Sequence, residues 1–218
     1  MPRAAWLPAS GSPTVTVLLR HGQTVLSAEK RYAGTTDVPL TALGVRQAAA
    51  VAERLAAGAG PETIVASPLL RARTTADAVA ARCGVPVVLD EGLRETDFGA
   101  WEGLTFAEVR ERWPAELAAW LADPAVAPPG GESFAVVADR VTDALGRILD
   151  SYAGQRVLVV SHVTPIKTLV TAALLAPPAA MYRMHLDLAA LCEIDWYPDG
   201  PAVLRSYNDT AHLAGNTA

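Results

Sequence analysis

Three short apolar stretches in this sequence are each followed by polar side chains that could bind or transfer a charged group. The first ends in Arg20 and leads directly into His21, and the third leads into His162. The second leads into a helical pattern that carries Arg71 near its start. Arginine binds phosphate oxygens through two parallel hydrogen bonds, and a neutral imidazole is nucleophilic near pH 7. Two arginines and two histidines at one place would therefore form a pocket for a phosphate group.

Taken singly, each of these residues has a simpler interpretation. An Arg-His pair after a strand is usually a surface turn, and His162 before a helix is more often a cap or a core histidine. Arg71 alone is most often a solvated helix residue. The order of the motifs and their local context favour the phosphate pocket over these structural roles.

The residues around these motifs alternate short apolar runs with helical segments, which predicts an α/β domain with a mostly parallel sheet. In such sheets ligands bind beyond the carboxyl ends of the strands, where helix N-termini offer free N–H groups to anions. Ser67-Pro68 and Thr164-Pro165 each place a capping side chain before a proline, and we predict that helices begin there. The predicted strands occupy residues 14–20, 62–67, 156–161, 190–197 and 202–207, other helices begin near Thr41 and Phe134, and a short strand, a turn and two short helices fall between residues 85 and 130.

The composition argues against several other classes of protein. Of the 218 residues, 51% are hydrophobic and 19% are charged, which is typical of a globular chain. The net charge of -5 argues against a surface that binds nucleic acid. Cys83 and Cys192 are isolated, so we expect reduced thiols and neither a disulfide framework nor a zinc site. The carboxylates form no obvious ligand cluster, so we expect no metal and no cofactor.

The sequence divides into a short tail and one domain. Residues 1–13 are rich in Pro, Ala and Ser and predict a linker or disordered tail, and residues 14–218 are expected to form a single domain. The longest apolar stretch, residues 169–181, is too short to span a membrane and contains two prolines. Because no long apolar segment near the N-terminus indicates a secretory signal, we expect a cytoplasmic protein that does not bind a membrane.

Five segments, in this order, resemble the motifs of the histidine phosphatase superfamily, which includes cofactor-dependent phosphoglycerate mutase. The resemblance extends over almost all of residues 14–213. It implies a phosphoglycerate mutase-like fold, a three-layer α/β/α arrangement with a mostly parallel central sheet flanked by helices. The five segments are LLRHGQT (18–24), RYAGTTDVPLTALGVRQA (31–48), SPLLRARTTA (67–76), LRETDFGAWEG (93–103) and VVSHVTPIK (159–167).

The resemblance implies a catalytic role for each of five residues. His21 is the nucleophile and becomes a phosphohistidine. Arg20, Arg71 and His162 bind the phosphoryl oxygens and stabilise their charge during transfer. Glu95 donates a proton to the leaving oxygen and then accepts one from the attacking water.

A second set of residues is implied to contact the substrate. The backbone N–H of Val163 and the side chains of Gln23 and Thr24 are expected to line the pocket. Ser27 stands where relatives often have asparagine, and its hydroxyl can still donate a hydrogen bond, over a shorter reach. Residues 104–133 are expected to cover the site and to set its specificity, but their side chains do not name the substrate.

Within the superfamily the choice lies between a phosphatase and a mutase. The family's acid loop corresponds to LRETDFGAWEG (93–103). Its short form here and the segment GGESFAVVADRV (130–141) resemble the phosphatase branch, which includes α-ribazole phosphatase and broad acid phosphatases. We therefore expect a metal-independent phosphomonoesterase of the acid phosphatase type that acts on a small-molecule ester. The alternatives are mutase-type phosphoryl transfer and a phosphate-binding module without turnover. The C-terminal part also resembles the phosphatase half of two-domain bacterial proteins, and this implies a covalent fusion to a ribonuclease H domain.

Overall fold

A six-stranded sheet forms the centre of the protein, as shown by a computed structural model that describes residues 11–214. The strands are β1 (Thr14–Arg20), β2 (Thr63–Ala66), β3 (Val87–Leu89), β4 (Arg156–Ser161), β5 (Leu191–Trp196) and β6 (Ala202–Asp209). Their order across the sheet is β3-β2-β4-β1-β5-β6. Neighbours from β3 to β1 pair in parallel, whereas β5 pairs antiparallel with both β1 and β6. The predicted α/β class with a mostly parallel sheet is confirmed.

Seven α-helices connect the strands of the part of the chain that is described. They are α1 (Val25–Ala28), α2 (Ala42–Ala57), α3 (Leu70–Cys83), α4 (Phe106–Arg112), α5 (Pro114–Ala122), α6 (Phe134–Ser151) and α7 (Val163–Ala173). The hydroxyl of Thr41 caps α2 as predicted, by accepting a hydrogen bond from the backbone N–H of Gly44. Among residues 11–214, no helix is both long and apolar enough to cross a bilayer. The predicted tail, residues 1–13, falls almost entirely outside the described residues and stays a prediction.

Apolar side chains of the sheet alternate between two faces, and helices cover both faces. On β1, Leu18 packs in a cluster with α6 and α7. Its neighbours Val17 and Leu19 point to the opposite side and pack with α2 and α3. Successive residues of a strand face opposite sides, so a sheet buried on both faces needs an apolar side chain at nearly every position. The predicted three-layer α/β/α arrangement is confirmed.

The two strands that precede the histidines are adjacent and parallel in the middle of the sheet. Arg20 at the end of β1 lies opposite Ser161 at the end of β4. The next residues, His21 and His162, therefore leave the sheet side by side. Neighbouring strands are about 4.8 Å apart, so this register sets the distance between the two imidazole rings.

The turn after β1 is held from one side by α2. A Cβ atom on Gly22 would lie 2.5 Å from the carbonyl oxygen of Gly44, so only glycine permits this close approach. The backbone N–H of Gly22 also donates to the hydroxyl of Thr75 on α3, at 3.1 Å. The backbone beside His21 is thus fixed by two helices.

Two predicted helix starts were wrong. Helix α3 begins at Leu70, three residues after Ser67, because the Ser67 hydroxyl contacts His162 across the sheet. Helix α7 begins at Val163, two residues earlier than the predicted start at Pro165, and Pro165 is its third residue. N–H groups in the first turn of a helix have no intrahelical acceptor, so a proline there breaks no hydrogen bond.

Candidate active site

The two histidines lie together at the carboxyl ends of β1 and β4. Their ring centroids are 5.1 Å apart, and the rings are tilted by 57°. His21 is 5% exposed and His162 is fully buried. The strand register thus brings together two residues that are 141 positions apart in the sequence.

One hydrogen bond fixes the tautomer of His21. Its Nδ1 lies 2.7 Å from the backbone oxygen of Gly22, which can only accept, so Nδ1 carries the hydrogen and Nε2 the lone pair. Burial lowers the pKa of His21 well below its ordinary value, and the positive charges of Arg71 and Arg20 lower it further. The ring is therefore uncharged and nucleophilic at neutral pH.

Ser67 holds the second imidazole, a contact that the sequence analysis did not predict. The Nε2 atom of His162 is 2.8 Å from the Ser67 hydroxyl, which also accepts a hydrogen bond from the backbone N–H of Leu69. The hydroxyl proton can point at Nε2, and in that tautomer the ring hydrogen lies on Nδ1. The buried Nδ1 has no hydrogen-bond partner among the described residues. In that tautomer Nδ1 has a hydrogen to donate, while His162 itself, like Arg71, is buried behind the residues that line the cavity.

Arg71 and Arg20 bring positive charge to the same place without a carboxylate partner. Fully buried Arg71 donates to the backbone oxygens of Thr36 and Gly34, at 2.9 and 2.7 Å. Arg20 donates to the backbone oxygen of Leu186 at 2.6 Å. Within residues 11–214 neither guanidinium forms an ion pair, and the buried Nε atom of each has no hydrogen-bond partner.

Burial affects the ionisation of both guanidinium groups but does not remove their charge. It lowers the pKa of Arg20 to about 10 and also lowers the pKa of Arg71, while nearby Glu95 opposes the shift in each case. Arg20 therefore stays protonated at neutral pH. A buried cation without an ion-pair partner is costly, so an anion bound between the two would be stabilised.

Glu95 lies on the acid loop and contacts the beginning of α7. Its Oε1 accepts a hydrogen bond from the backbone N–H of Thr96 at 2.8 Å, and the N–H of Thr164 lies 3.3 and 3.4 Å from its two carboxylate oxygens. Glu95 is 6% exposed and lines the same cavity as Arg20 and His21. Asp97, two residues on, accepts from the N–H of Gly99 and is not a lining residue.

Three of the four expected substrate-contacting residues line the cavity, and one does not. Thr24, Ser27 and Val163 are lining residues. The side chains of Thr24 and Ser27 each accept a hydrogen bond from the backbone of the other, which forms a capping box at α1. Gln23 instead accepts a hydrogen bond from the hydroxyl of Thr41 at 2.8 Å and lies outside the lining.

The cavity has a volume of about 530 Å³, so it extends well beyond a phosphate group. Much of its wall is aromatic. Rings in this wall lie against one another, with centroids 4.8 Å apart for Tyr32–Phe98 and for Trp120–Phe134. Residues 104–133 supply Phe106 and Trp120, but Tyr32, Phe98, Phe134 and Tyr182 come from elsewhere. We call this the aromatic wall, and its residues are Tyr32, Phe98, Phe106, Trp120, Phe134 and Tyr182.

The two buried, uncharged imidazoles predict that the fold loses stability in acid. In the unfolded chain His21 and His162 take up protons near pH 6.5, whereas burial lowers both pKa values well below that in the folded protein. Below about pH 6.5 the unfolded state therefore binds more protons, and the free energy of unfolding falls by up to about 1.4 kcal/mol per pH unit for each histidine. We expect His162→Gln to weaken this pH dependence, measured by urea unfolding at pH 7 and pH 5 in phosphate-free buffer. If the free energy of unfolding fell equally in the wild-type protein and in His162→Gln between pH 7 and pH 5, the burial of a neutral His162 would be contradicted.

The profile of the "Histidine phosphatase superfamily (branch 1)" matches residues 16–210. The "Bifunctional protein Rv2228c" of Mycobacterium tuberculosis is 50% identical over 208 residues, which are 95% of this chain and 57% of the relative. The chain thus spans little more than half the length of that relative. The "Probable phosphoglycerate mutase GpmB" of Salmonella paratyphi C is 37% identical over 204 residues, 90% of this chain and 93% of the relative.

Solved structures of phosphatases have the same fold. The mycobacterial glucosyl-3-phosphoglycerate phosphatase Rv2419c, in complex with VO3, matches with a TM-score of 0.83 at 33% identity, over 90% of this chain and 100% of that chain. A putative alpha-ribazole-5'-P phosphatase from Escherichia coli K-12 matches with a TM-score of 0.83 at 30% identity, over 91% and 98% of the two chains. The predicted similarity to α-ribazole phosphatase is confirmed. With a profile match over nearly its whole length, this chain belongs to branch 1 of the histidine phosphatase superfamily.

Proposed function

We propose that this chain hydrolyses small phosphomonoesters through a phosphohistidine on His21, with Glu95 as the proton donor. The observation that carries the proposal is the environment of the His21 ring. Its Nε2 lone pair is free, and the guanidinium groups that lower its pKa have no carboxylate partner among the described residues. A phosphate ester would supply the missing negative charge and place its phosphorus beside a nucleophile.

In the first step, Nε2 of His21 attacks phosphorus in line with the leaving oxygen. The N–P bond forms, the P–O bond to the leaving group breaks, and Glu95 gives its carboxyl proton to the departing oxygen. Arg20, Arg71 and His162 stabilise the charge on the other phosphoryl oxygens, which is the main task of a protein in phosphoryl transfer. The hydrogen bond from Nδ1 to the Gly22 backbone oxygen stabilises the positive ring of the phosphohistidine.

In the second step, water takes the place of the leaving group. The Glu95 carboxylate accepts a proton from the water as its oxygen attacks phosphorus, and the N–P bond to His21 breaks. Inorganic phosphate departs and the imidazole is neutral again. Glu95 ends the cycle protonated, as it began, so no external acid or base is consumed.

The guanidinium groups of Arg20 and Arg71 give the site the positive charge that a kinase takes from magnesium. Within residues 11–214, no group of three or more His, Cys, Asp or Glu side chains could hold a metal ion. We therefore expect the hydrolysis of p-nitrophenyl phosphate to continue at an unchanged rate in excess EDTA. Vanadate, a mimic of five-coordinate phosphorus, should inhibit it competitively. Activity that is lost with EDTA and restored by Mg²⁺ or Zn²⁺ would contradict a metal-independent mechanism.

A mutase is the second candidate, because the chain is 37% identical to a probable phosphoglycerate mutase. The same two steps would then transfer the phosphoryl group back to an organic hydroxyl instead of to water. The two activities are separated by incubating the protein with 3-phosphoglycerate. Release of inorganic phosphate supports the hydrolase, whereas conversion to 2-phosphoglycerate without phosphate release supports the mutase. A phosphate-binding module would neither release phosphate nor form 2-phosphoglycerate. Such a module would not need a nucleophile and a proton donor beside its cations, and this chain has all three.

The partner of this domain is proposed to be a small phosphate ester in the cytoplasm, with no nucleic acid or membrane bound. The fusion to a ribonuclease H domain also remains a proposal. Its support is the resemblance of the C-terminal part and the greater length of the bifunctional relative, of which this chain covers 57%. The mass of the protein isolated from its native cells would test it.

A further inference from the structure

Lys167 is a cation in the cavity that the proposed reaction does not use. It lies on α7, is partly buried, and lines the cavity with Arg20 and Glu95. Within residues 11–214 its ammonium group has no hydrogen bond and no ion pair. The hydroxyl of Thr171 donates to the backbone oxygen of Lys167, which does not involve the side chain. Arg31, another cation of the lining, is by contrast neutralised by Glu29 and Glu108.

The surroundings of Lys167 favour an anion beside it. Burial lowers the pKa of its ammonium group, the charge of Arg20 lowers it further, and Glu95 only partly opposes these effects. A partly buried ammonium group without a partner is destabilising, because it has lost water and gained no counter-charge. A negatively charged ligand group at this place would remove that penalty.

Helix α7 shows on which side of the reacting phosphorus Lys167 lies. His162 is the N-cap of this helix, and the N–H of Thr164 contacts the Glu95 carboxylate. Lys167 is three residues beyond Thr164 on the same helix face, and at 1.5 Å per residue it lies roughly 7.5 Å along the axis from His162. Along the helix, His162 at the phosphoryl group comes first, Thr164 at the proton donor second and Lys167 third. This order puts Lys167 on the side of the leaving group.

The cavity has room for a leaving group on that side. Its volume of about 530 Å³ exceeds what a phosphate group fills, and the aromatic wall offers mostly apolar surface. Lys30 also lines the cavity, but its side chain is exposed and solvated. Lys167 is thus the group best placed to distinguish a charged leaving group from a neutral one.

We propose that Lys167 binds an anionic group on the leaving half of the substrate, so that the enzyme prefers phosphomonoesters with a second negative charge, such as a carboxylate. This inference rests on the proposed function and names the substrate class for the same site. A ligand anion on Lys167 would form a charge-assisted hydrogen bond while the phosphoryl group occupies the arginine pocket.

The test compares two aryl esters that differ mainly in charge, 4-carboxyphenyl phosphate and 4-carbamoylphenyl phosphate. We expect the wild-type protein to prefer the carboxylate ester by about 10- to 100-fold in kcat/KM, the range of a hydrogen bond to a charged group. In Lys167→Met the carboxylate ester should fall to the level of the carbamoyl ester. Lys167→Arg should restore most of the preference, and Lys30→Met is the matched control that should keep it.

Three results would overturn the inference. An equal proportional loss on both esters in Lys167→Met would place Lys167 at the transferred phosphoryl group or at Glu95. A wild-type protein that hydrolyses both esters equally well would show that the second charge is not recognised. If neither ester is hydrolysed in a His21-dependent reaction, the proposed function itself is wrong, and the inference with it.

Discussion

Replacement of His21 by glutamine is expected to lower kcat/KM for p-nitrophenyl phosphate by about 10⁴-fold or more, which is the scale of losing a nucleophile. Every other group of the site binds charge or moves a proton, so none can form the covalent intermediate in its place. His162 lies 5.1 Å away, but its Nε2 is engaged by Ser67. In the tautomer in which the Ser67 hydroxyl donates to Nε2, Nδ1 carries the ring hydrogen and has no lone pair for attack.

The intermediate gives this prediction a second, direct measurement. Wild-type protein mixed with ³²P-labelled ester and quenched within milliseconds should retain protein-bound phosphate that is labile in acid and stable in base. His21→Gln should retain none. His185→Gln is the matched control, because that side chain is 80% exposed and lies outside the cavity lining. Near-normal turnover in a folded His21→Gln protein would refute covalent catalysis at this residue.

Replacement of Glu95 by glutamine is expected to produce a loss that depends on the leaving group. An alkyl alkoxide is a poor leaving group and needs a proton, whereas p-nitrophenolate departs readily without one. The loss in kcat/KM should therefore be about 10²- to 10⁴-fold for an alkyl phosphate and much smaller for p-nitrophenyl phosphate. Glutamine keeps an oxygen that can accept from the N–H groups of Thr96 and Thr164, so the geometry of the loop should survive.

The alternative role for Glu95 is to brace a nearby arginine by charge pairing. Arg94 instead pairs with Glu91, and Arg140 contacts the backbone oxygen of Glu95 and not its carboxylate. If Glu95 only braced an arginine, its loss would weaken phosphate binding, so kcat/KM would fall by the same factor for both substrates. An equal fractional loss for the two esters would remove Glu95 from the proton-donor role. Asp97→Asn is the control, since that carboxylate caps a turn outside the cavity lining.

Most strands and helices could be predicted because they depend on patterns within short segments. Buried strands such as residues 156–161 are continuous apolar runs, and α6 follows a helical period, so each can be recognised without its neighbours. The start of α3 could not be predicted in this way. Ser67 followed by proline is a strong local signal for a cap, but the hydroxyl makes a tertiary contact to His162, 95 positions away. A contact of that kind overrides the local preference.

The same reason explains which parts of the site escaped prediction. His21 and His162 lie at strand ends in motifs of known order, so sequence alone brings them together. The aromatic wall is assembled from separated segments, and single residues such as Tyr32 and Tyr182 have no periodic neighbours that would mark them. Lys167 ends the segment VVSHVTPIK (159–167), yet only the structure shows that its ammonium group lacks a partner and lines the cavity.

The parallel register of β1 and β4 has a consequence for how such a protein can diversify. The spacing of the two imidazoles is imposed by the backbone ladder that pairs Arg20 with Ser161, and no loop length enters into it. The surfaces that contact the leaving group are built outside that ladder. Insertions, deletions and substitutions there can change which ester is accepted without displacing the reacting nitrogen. Laboratory selection for a new substrate should therefore concentrate its changes in the aromatic wall and leave the ladder untouched.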